Sequence, residues 1–267
     1  MLRTLYYRTE IGVLGLDARV RRADQYVVVE SPSNPISHAG NFLLADAAPA
    51  LGDRARWEGA FDAELPPAVK RRSFGWDTGD GSLGEAATEF PAPDYELEQL
   101  VTLAASPAKI APPRDPSIPV RMLDPDADAE LWTGVQELWE EDNDSEEPAA
   151  YREFAKRRLE ELRELFRAGR GGWFVALDGE RVVGSLGVVV ADELARYQNV
   201  STRASHRRRG IASTLVSAAA AQIAARHPIQ QLVIVADPDY HAIGLYERLG
   251  FQRRERVCLA RGGADFR

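Results

Sequence analysis

Residues 207–212 read Arg207-Arg208-Arg209-Gly210-Ile211-Ala212. The strand-like run Tyr197-Gln198-Asn199-Val200-Ser201-Thr202 precedes this stretch, and an Ala-rich helical segment, residues 213–225, follows it. A strand, a basic glycine turn and a helix start together make an anion-binding device. The first helical N–H groups have no intrahelical partner, and the helix dipole places partial positive charge among them. Gly210 has no Cβ, so its backbone can approach a ligand closely. The arginines add fixed charge suited to phosphate. The pattern predicts a phosphate or diphosphate ligand. It is neither the G-x-x-x-x-G-K-[ST] loop nor G-x-G-x-x-G, and taken alone three successive arginines more often describe a solvated turn.

The whole chain narrows the choice. Its 267 residues suit one large domain or two small ones. Apolar residues make up 45% and charged residues 28%, which places it among globular rather than disordered chains. The net charge of −8 argues against a nucleic-acid partner, whose binding face is basic. The lone cysteine, Cys258, cannot form an intrachain disulfide, and its place in the apolar run Arg256-Val257-Cys258-Leu259 reads as a buried structural thiol. No apolar run reaches the length of a membrane span, and residues 1–16, broken by Arg3, Arg8, Glu10 and Gly12, do not read as a signal peptide. The expectation is a soluble cytoplasmic protein with no membrane partner.

Residues 107–119 carry Pro107, Pro112, Pro113, Pro116 and Pro119, and neither a helix nor a central strand runs through such a segment. The expected organisation is a module over residues 1–106, a linker over 107–119 and a second module over 120–267. The second module alternates element types. A strand over 120–123 leads to a helix over 129–139, then a very acidic turn with Glu140, Glu141, Asp142, Asp144, Glu146 and Glu147. An amphipathic helix over 149–168 precedes a hairpin, 173–177 and 182–190, turning on Asp178-Gly179. Ile211, Leu215, Ala219 and Ile223 recur every four residues, giving the helix after the basic turn one buried face. Leu232-Val233-Ile234-Val235-Ala236 reads as a buried central strand. A short helix over about 240–249 ends at Gly250, placed for a left-handed cap with Phe251 folding back, and residues 254–259 supply a last strand.

That short helix contains Ala242-Ile243-Gly244-Leu245-Tyr246-Glu247-Arg248-Leu249-Gly250-Phe251. With the basic turn before it, the second module resembles the GNAT superfamily of acetyl-CoA-dependent N-acetyltransferases. Arg207, Gly210 and Ala212 match that family's Q/R-x-x-G-x-G/A signature. Ala242, Leu245, Tyr246, Glu247, Leu249, Gly250 and Phe251 match N-x-x-A-x-x-L-Y-E-x-L-G-F, with Asp239 standing where Asn is usual. The resemblance implies an α/β (α+β) fold, a mixed central sheet flanked by helices. It implies that the anion is the diphosphate of acetyl-CoA, cradled by Arg207, Arg208, Arg209, Gly210, Ile211, Ala212 and Ser213. Backbone groups of Val200 and Thr202 would bind the pantetheine arm, and Asp239 would lie at the same site. No metal is implied.

The chemistry so implied is transfer of an acetyl group from the thioester to a primary amine, of a small molecule or a peptide, by direct attack in a ternary complex. The oxyanion needs a donor, and the resemblance points to the Val200 amide for it. Tyr246 either protonates the leaving thiolate or only packs under the cofactor. No general base is identified: Arg196, Tyr197 and Gln198 stand where some members carry a glutamate, and Glu193 lies just upstream. The acidic turn either draws in a cationic amine by its field or is a solvated loop. His206 and His241 flank the two motifs and read as surface residues. The alternative to an enzyme is a non-catalytic acyl-CoA sensor or scaffold; the oligomeric expectation is a monomer or homodimer.

The first module reads as a weaker echo of the second. Residues 25–30 and 41–45 suit a hairpin, 53–65 a helix with Trp57 and Phe61 on one face, 70–76 a buried strand, and 86–90 and 97–104 the closing helix and strand. Its turn, Asp46-Ala47-Ala48-Pro49-Ala50-Leu51-Gly52, has no arginine, and no L-Y-E-x-L-G-F follows. The expectation is a degenerate GNAT-like module that holds no acetyl-CoA.

Overall fold

The computed structural model describes residues 2–37, 39–113, 115, 117–143, 148–239 and 242–262. The contacts divide the chain into two compact units. The first comprises Met1–Thr102, Val235–Tyr240 and Arg253–Arg267; the second comprises Leu103–Ile234 and His241–Gln252. Each is built on a mixed sheet flanked by helices, the architecture expected from the alternating elements.

In the first unit the order of strands is β1 (Arg19–Arg22), β2 (Tyr26–Glu30), β3 (Phe42–Ala45), β4 (Ser73–Trp76), β11 (Gln252–Gly262) and β5 (Tyr95–Ala105). Strand β3 runs antiparallel to β2 and parallel to β4. Side chains alternate between faces, and the cores follow that period of two. Val28, Leu43 and Ala45 join Trp57 and Phe61 of α2 (Asp53–Glu64), while Val27, Val29, Phe42 and Leu44 join Tyr6 and Tyr7 of α1 (Leu5–Gly12). The N-terminus of α1 is held by two carboxylates from far along the chain. Asp77 accepts from the Arg3 and Thr4 amides at 2.6 and 2.9 Å, and Glu255 accepts from Leu5 at 2.9 Å. A short helix α3 (Ala86–Glu89) precedes β5.

The expected linear split differs from this division, most plainly at the linker, at residues 235–240 and at the last strand. Residues 107–119 fall inside the second unit, and β11 belongs to the first. The cause is pairing: Leu259, Ala260 and Arg261 of β11 register against Gly75, Phe74 and Ser73 of β4.

The second unit has the strand order β10 (Gln231–Ala236, whose first four residues belong to this unit), β9 (Leu194–Thr202), β8 (Arg181–Ala191), β7 (Gly171–Asp178) and β6 (Val120–Met122). Helices α4 (Ala129–Glu141) and α5 (Pro148–Arg167) cover one face, and α6 (Ile211–Ala224) the other. Glycines set both approaches. A Cβ on Gly187 would lie 2.4 Å from the Trp173 ring, which packs against Trp139 at 5.5 Å. A Cβ on Gly184, three residues earlier and on the opposite face, would meet Ile211 at 2.6 Å and Leu215 at 3.0 Å. Helix α6 can lie close to the sheet only because that position is bare.

Candidate functional site

The site begins where two parallel strands part. Strand β9 pairs with β8 along its length, but its parallel register with β10 covers only Leu194, Ala195 and Arg196. Residues 197–202 continue beside β8 alone, so their other edge presents backbone N–H and C=O groups to a partner that is not β10. A bulge lies on that stretch. Asn199 and Val200 stand opposite the single residue Leu186, and Asn199 takes φ +45°. Such a bulge removes backbone from the ladder and redirects it. The two backbone positions singled out from the sequence, Val200 and Thr202, therefore lie on the unpaired edge. Thr202 also carries a buried hydroxyl that has no hydrogen-bond partner.

The basic turn follows at once. Arg208 takes φ +64° and Gly210 φ +86°, both left-handed. A non-glycine residue there is uncommon, and alternating backbone of this kind turns successive N–H groups toward one point. Gly210 is the N-cap of α6, and no side chain caps that helix start. The Gly210 carbonyl accepts from the Thr214 amide at 3.0 Å and from Ser213 Oγ at 2.7 Å. Ser213 thus offers a ligand its amide while its hydroxyl is committed to the helix. Arg208 and Arg209 are exposed; Ile211 and Ser213 are buried. The turn has the uncapped amides and the flanking cations that a diphosphate requires.

Two other arginines of this segment have structural partners. Arg203, only 4% exposed, donates through Nε to the Val182 carbonyl at 3.1 Å and through Nη1 to Glu141 at the end of α4. Arg207 donates through Nε to the Thr202 carbonyl at 3.1 Å and through Nη2 to Asp142 at 2.6 Å. The sequence expectation treats Arg207 as a phosphate ligand; here its guanidinium ties the turn to α4. The ring of His206 is oriented, by Ser205 Oγ at 2.8 Å and Asp178 at 3.2 Å, which no sequence pattern indicates.

Tyr246 sits on α7 (Ile243–Arg248), 5% exposed. The helix ends in the expected glycine cap. Gly250 takes φ +107°, the Gly250 amide bonds the Glu247 carbonyl at 3.1 Å, and the Phe251 amide bonds the Tyr246 carbonyl at 3.1 Å, a Schellman arrangement. Phe251 packs edge-on against both Tyr246 and Tyr197 of β9. The Tyr197 hydroxyl donates to Val216 of α6 at 2.9 Å, and burial pushes its pKa well up. One aromatic chain thus links α7, β9 and α6. Glu193 lies just before the other end of β9: Val200 is seven positions further along, about 23 Å at ~3.3 Å per residue, out of reach of any reaction there. The Asp239 amide donates to Asp237 Oδ1 at 2.8 Å, and that segment is grouped with the first unit. Asp144, Glu146, Glu147 and His241 lie outside the described residues.

A cavity of about 420 Å³ opens between the ends of α4 and α5, lined by Glu137, Glu140, Glu141, Asn143, Tyr151 and Arg152. Burial raises the Glu140 carboxyl, but bonds from Gln136 and Arg152 outweigh it and hold the group below the usual range. Among the described residues no cluster of His, Cys, Asp and Glu is arranged to hold a metal, and no helix is long and apolar enough to cross a membrane.

The first unit has a similar strand–turn–helix arrangement, with its helix start occupied. Gly52, the N-cap of α2, takes φ 84° and ψ 3°, against φ 86° and ψ 4° at Gly210. Here, however, the parallel strands stay zipped: β3 pairs with β4 through Ala45 and Trp76, and the Asp77 amide bonds the Ala45 carbonyl at 2.9 Å. The helix start is filled by the chain itself. Glu89 accepts from the Gly52 amide at 2.9 Å and the Arg54 amide at 2.8 Å, and these bonds hold its carboxyl below the usual range.

Comparison with known proteins agrees with this geometry. Residues 132–251 match the family model described as acetyltransferase (GNAT) family. No curated protein matches the chain. Among solved structures, a functionally unknown conserved protein from Staphylococcus epidermidis is similar at TM-score 0.71 and 14% identity, covering 92% of this chain and 94% of its own. A GCN5-related N-acetyltransferase from Kribbella flavida is similar at TM-score 0.62 and 16% identity, with 94% and 93% covered. A tandem GNAT protein from the clavulanic acid biosynthesis pathway is similar at TM-score 0.57 and 16% identity, with 94% and 86% covered. At these identities the structures establish the fold. Residues 132–251 thus match the acetyltransferase (GNAT) family model within a chain whose fold is that of the solved GNAT structures.

Proposed function

We propose that this chain is an N-acetyltransferase that moves an acetyl group from acetyl-CoA to a primary amine of a small molecule or peptide, with one donor site per chain, in the second unit. The parting of β9 from β10 beside an uncapped, arginine-flanked helix start carries this reading. The donor supplies an activated thioester; the chain supplies its placement. The amides over residues 208–213, with Arg208 and Arg209, would hold the diphosphate. The unpaired edge at Val200 and Thr202 would bond the pantetheine arm, where the partnerless Thr202 hydroxyl offers one more bond. The Val200 amide, displaced by the bulge, would donate to the carbonyl oxygen as charge builds on it. Tyr246 would hold a proton at its phenol and give it to the departing sulfur.

No side-chain base is assigned, since Glu193 is too distant. Deprotonation of the amine through water fits the residues present. The acidic cavity beside α4 favours a cationic acceptor, because a field of like-signed carboxylates concentrates cations. The first unit, with its strands zipped and its helix start filled by Glu89, is read as a GNAT-like module without a donor site. The lone buried thiol fits a reducing compartment, and we place the protein in the cytoplasm.

An assay of thiol release from acetyl-CoA against a panel of amines tests the activity. Tyr246→Phe should lower turnover with little change in CoA affinity. Unchanged turnover removes Tyr246 from the chemistry, and CoA binding without thiol release for any amine makes the chain a sensor instead.

A further inference from the structure

Arg207 holds one anion, Asp142, and stands three residues before a helix start suited to another. Its guanidinium donates to Asp142 at 2.6 Å, yet its side chain is 56% exposed and that of Asp142 27%. An ion pair so accessible to water contributes little and is readily exchanged. The same side chain leaves the chain three residues before Gly210, the left-handed cap of the helix start where a diphosphate would sit. Asp142 in turn is the C-cap of α4, where its amide bonds the Leu138 carbonyl at 3.2 Å. Its chain neighbours Glu141 and Asn143 both line the 420 Å³ cavity. The adjacent pair behaves differently: Arg203, 4% exposed and bonded to the Val182 carbonyl, is fixed and keeps Glu141 with it.

We propose that Asp142 is an internal competitor for the donor diphosphate, and that the exchange of Arg207 from Asp142 to the diphosphate couples donor binding to the cavity wall. The proposal rests on the donor reading above. With no donor, the Arg207–Asp142 pair pins the end of α4 to the turn. Once the diphosphate takes Arg207, the end of α4 loses that tie to the turn and keeps the Arg203–Glu141 pair, and the wall formed by Glu137, Glu140 and Asn143 gains freedom to adjust around an acceptor. Coupling of this kind is reciprocal, so an acceptor that draws Asp142 away from Arg207 also strengthens donor binding. Arg207 is a positioning residue here, with two clients rather than one.

Calorimetric titration of the full chain with CoA, for wild type, Asp142→Asn, Arg207→Ala and the double variant, tests it. Removing the competitor should tighten CoA binding about two- to fivefold, the range set by an exposed ion pair. That gain should vanish when Arg207 is already alanine. Backbone hydrogen exchange gives a second reading: the Asp142 amide should exchange faster in saturating CoA than without it. If wild type binds CoA and Asp142→Asn binds no tighter, or gains as much in the Arg207→Ala background, the exchange is refuted while the donor site stands. If wild type binds no CoA at millimolar concentration, the donor reading itself falls.

Discussion

Gly184→Ala is the sharpest probe of how the sheet places the donor cradle. The added Cβ would lie 2.6 Å from Ile211 Cγ2 and 3.0 Å from Leu215 Cδ1. Carbon atoms pack at about 3.5–4.0 Å, so the nearer contact is short by about 1 Å. Leu215 can swing its methyl aside, but Ile211 is β-branched, stiff at χ1, buried and the first residue of α6. Relief must come from moving the helix start, which is the cradle. Overpacking of this size costs about 1–3 kcal/mol. For a chain of this size that is a fall in Tm of about 2–4 °C per kcal/mol. Binding should suffer more than stability. Each amide bond to a charged group contributes about 1.5–3 kcal/mol. Displacement that breaks one such bond weakens CoA about ten- to a hundredfold. Differential scanning calorimetry and CoA titration read the two effects separately. A variant that loses stability but binds CoA as wild type does would show that the start of α6 is not the donor cradle. A variant unchanged in both would refute the packing argument.

Three further expectations follow from particular contacts. Gly210→Val forces a β-branched residue into φ +86° and puts a side chain at the cradle, so CoA affinity should fall at least tenfold while α6, held by its buried face, persists in circular dichroism. Glu89→Gln replaces the carboxylate that fills the start of α2, and the urea midpoint should fall at neutral pH. Because the folded state holds that carboxyl below its ordinary value, its contribution is present above the unfolded pKa and is lost as pH falls through the folded one. Wild type should therefore lose its advantage over the variant on acidification below about pH 4.5. Cys258, buried with its pKa pushed up to about 11 and its thiol donating to the Gly81 carbonyl at 3.2 Å, should resist a thiol reagent at pH 7.5 until denaturant is added; prompt modification would contradict its burial.

The second unit was legible because its signals are local. The turn at 207–212, the apolar run at 232–236 and the cap at Gly250 each announce themselves within a few residues. What escaped is long-range or quiet. Helix α1 buries Tyr6 and Tyr7 without a regular apolar stripe, and its start rests on the Thr4 cap, whose Oγ1 accepts from Tyr7 at 3.3 Å, and on Asp77 and Glu255. Strand β1 is exposed at all four positions and carries no alternation. The membership of β11 in the first unit is a matter of pairing, which no spacing along 254–259 reveals. At the candidate site the motif supplied the backbone positions but not the partners. That Arg207 holds Asp142, and that Glu89 fills the first unit's helix start, depend on residues 65 and 37 positions away.

One donor site per chain, at the parting of β9 and β10, predicts the stoichiometry of CoA binding to the full chain. Calorimetry should give one equivalent of CoA per chain, with binding weakened by Gly210→Val and unaffected by Glu89→Gln. Two equivalents per chain, or none at millimolar CoA, would contradict the account.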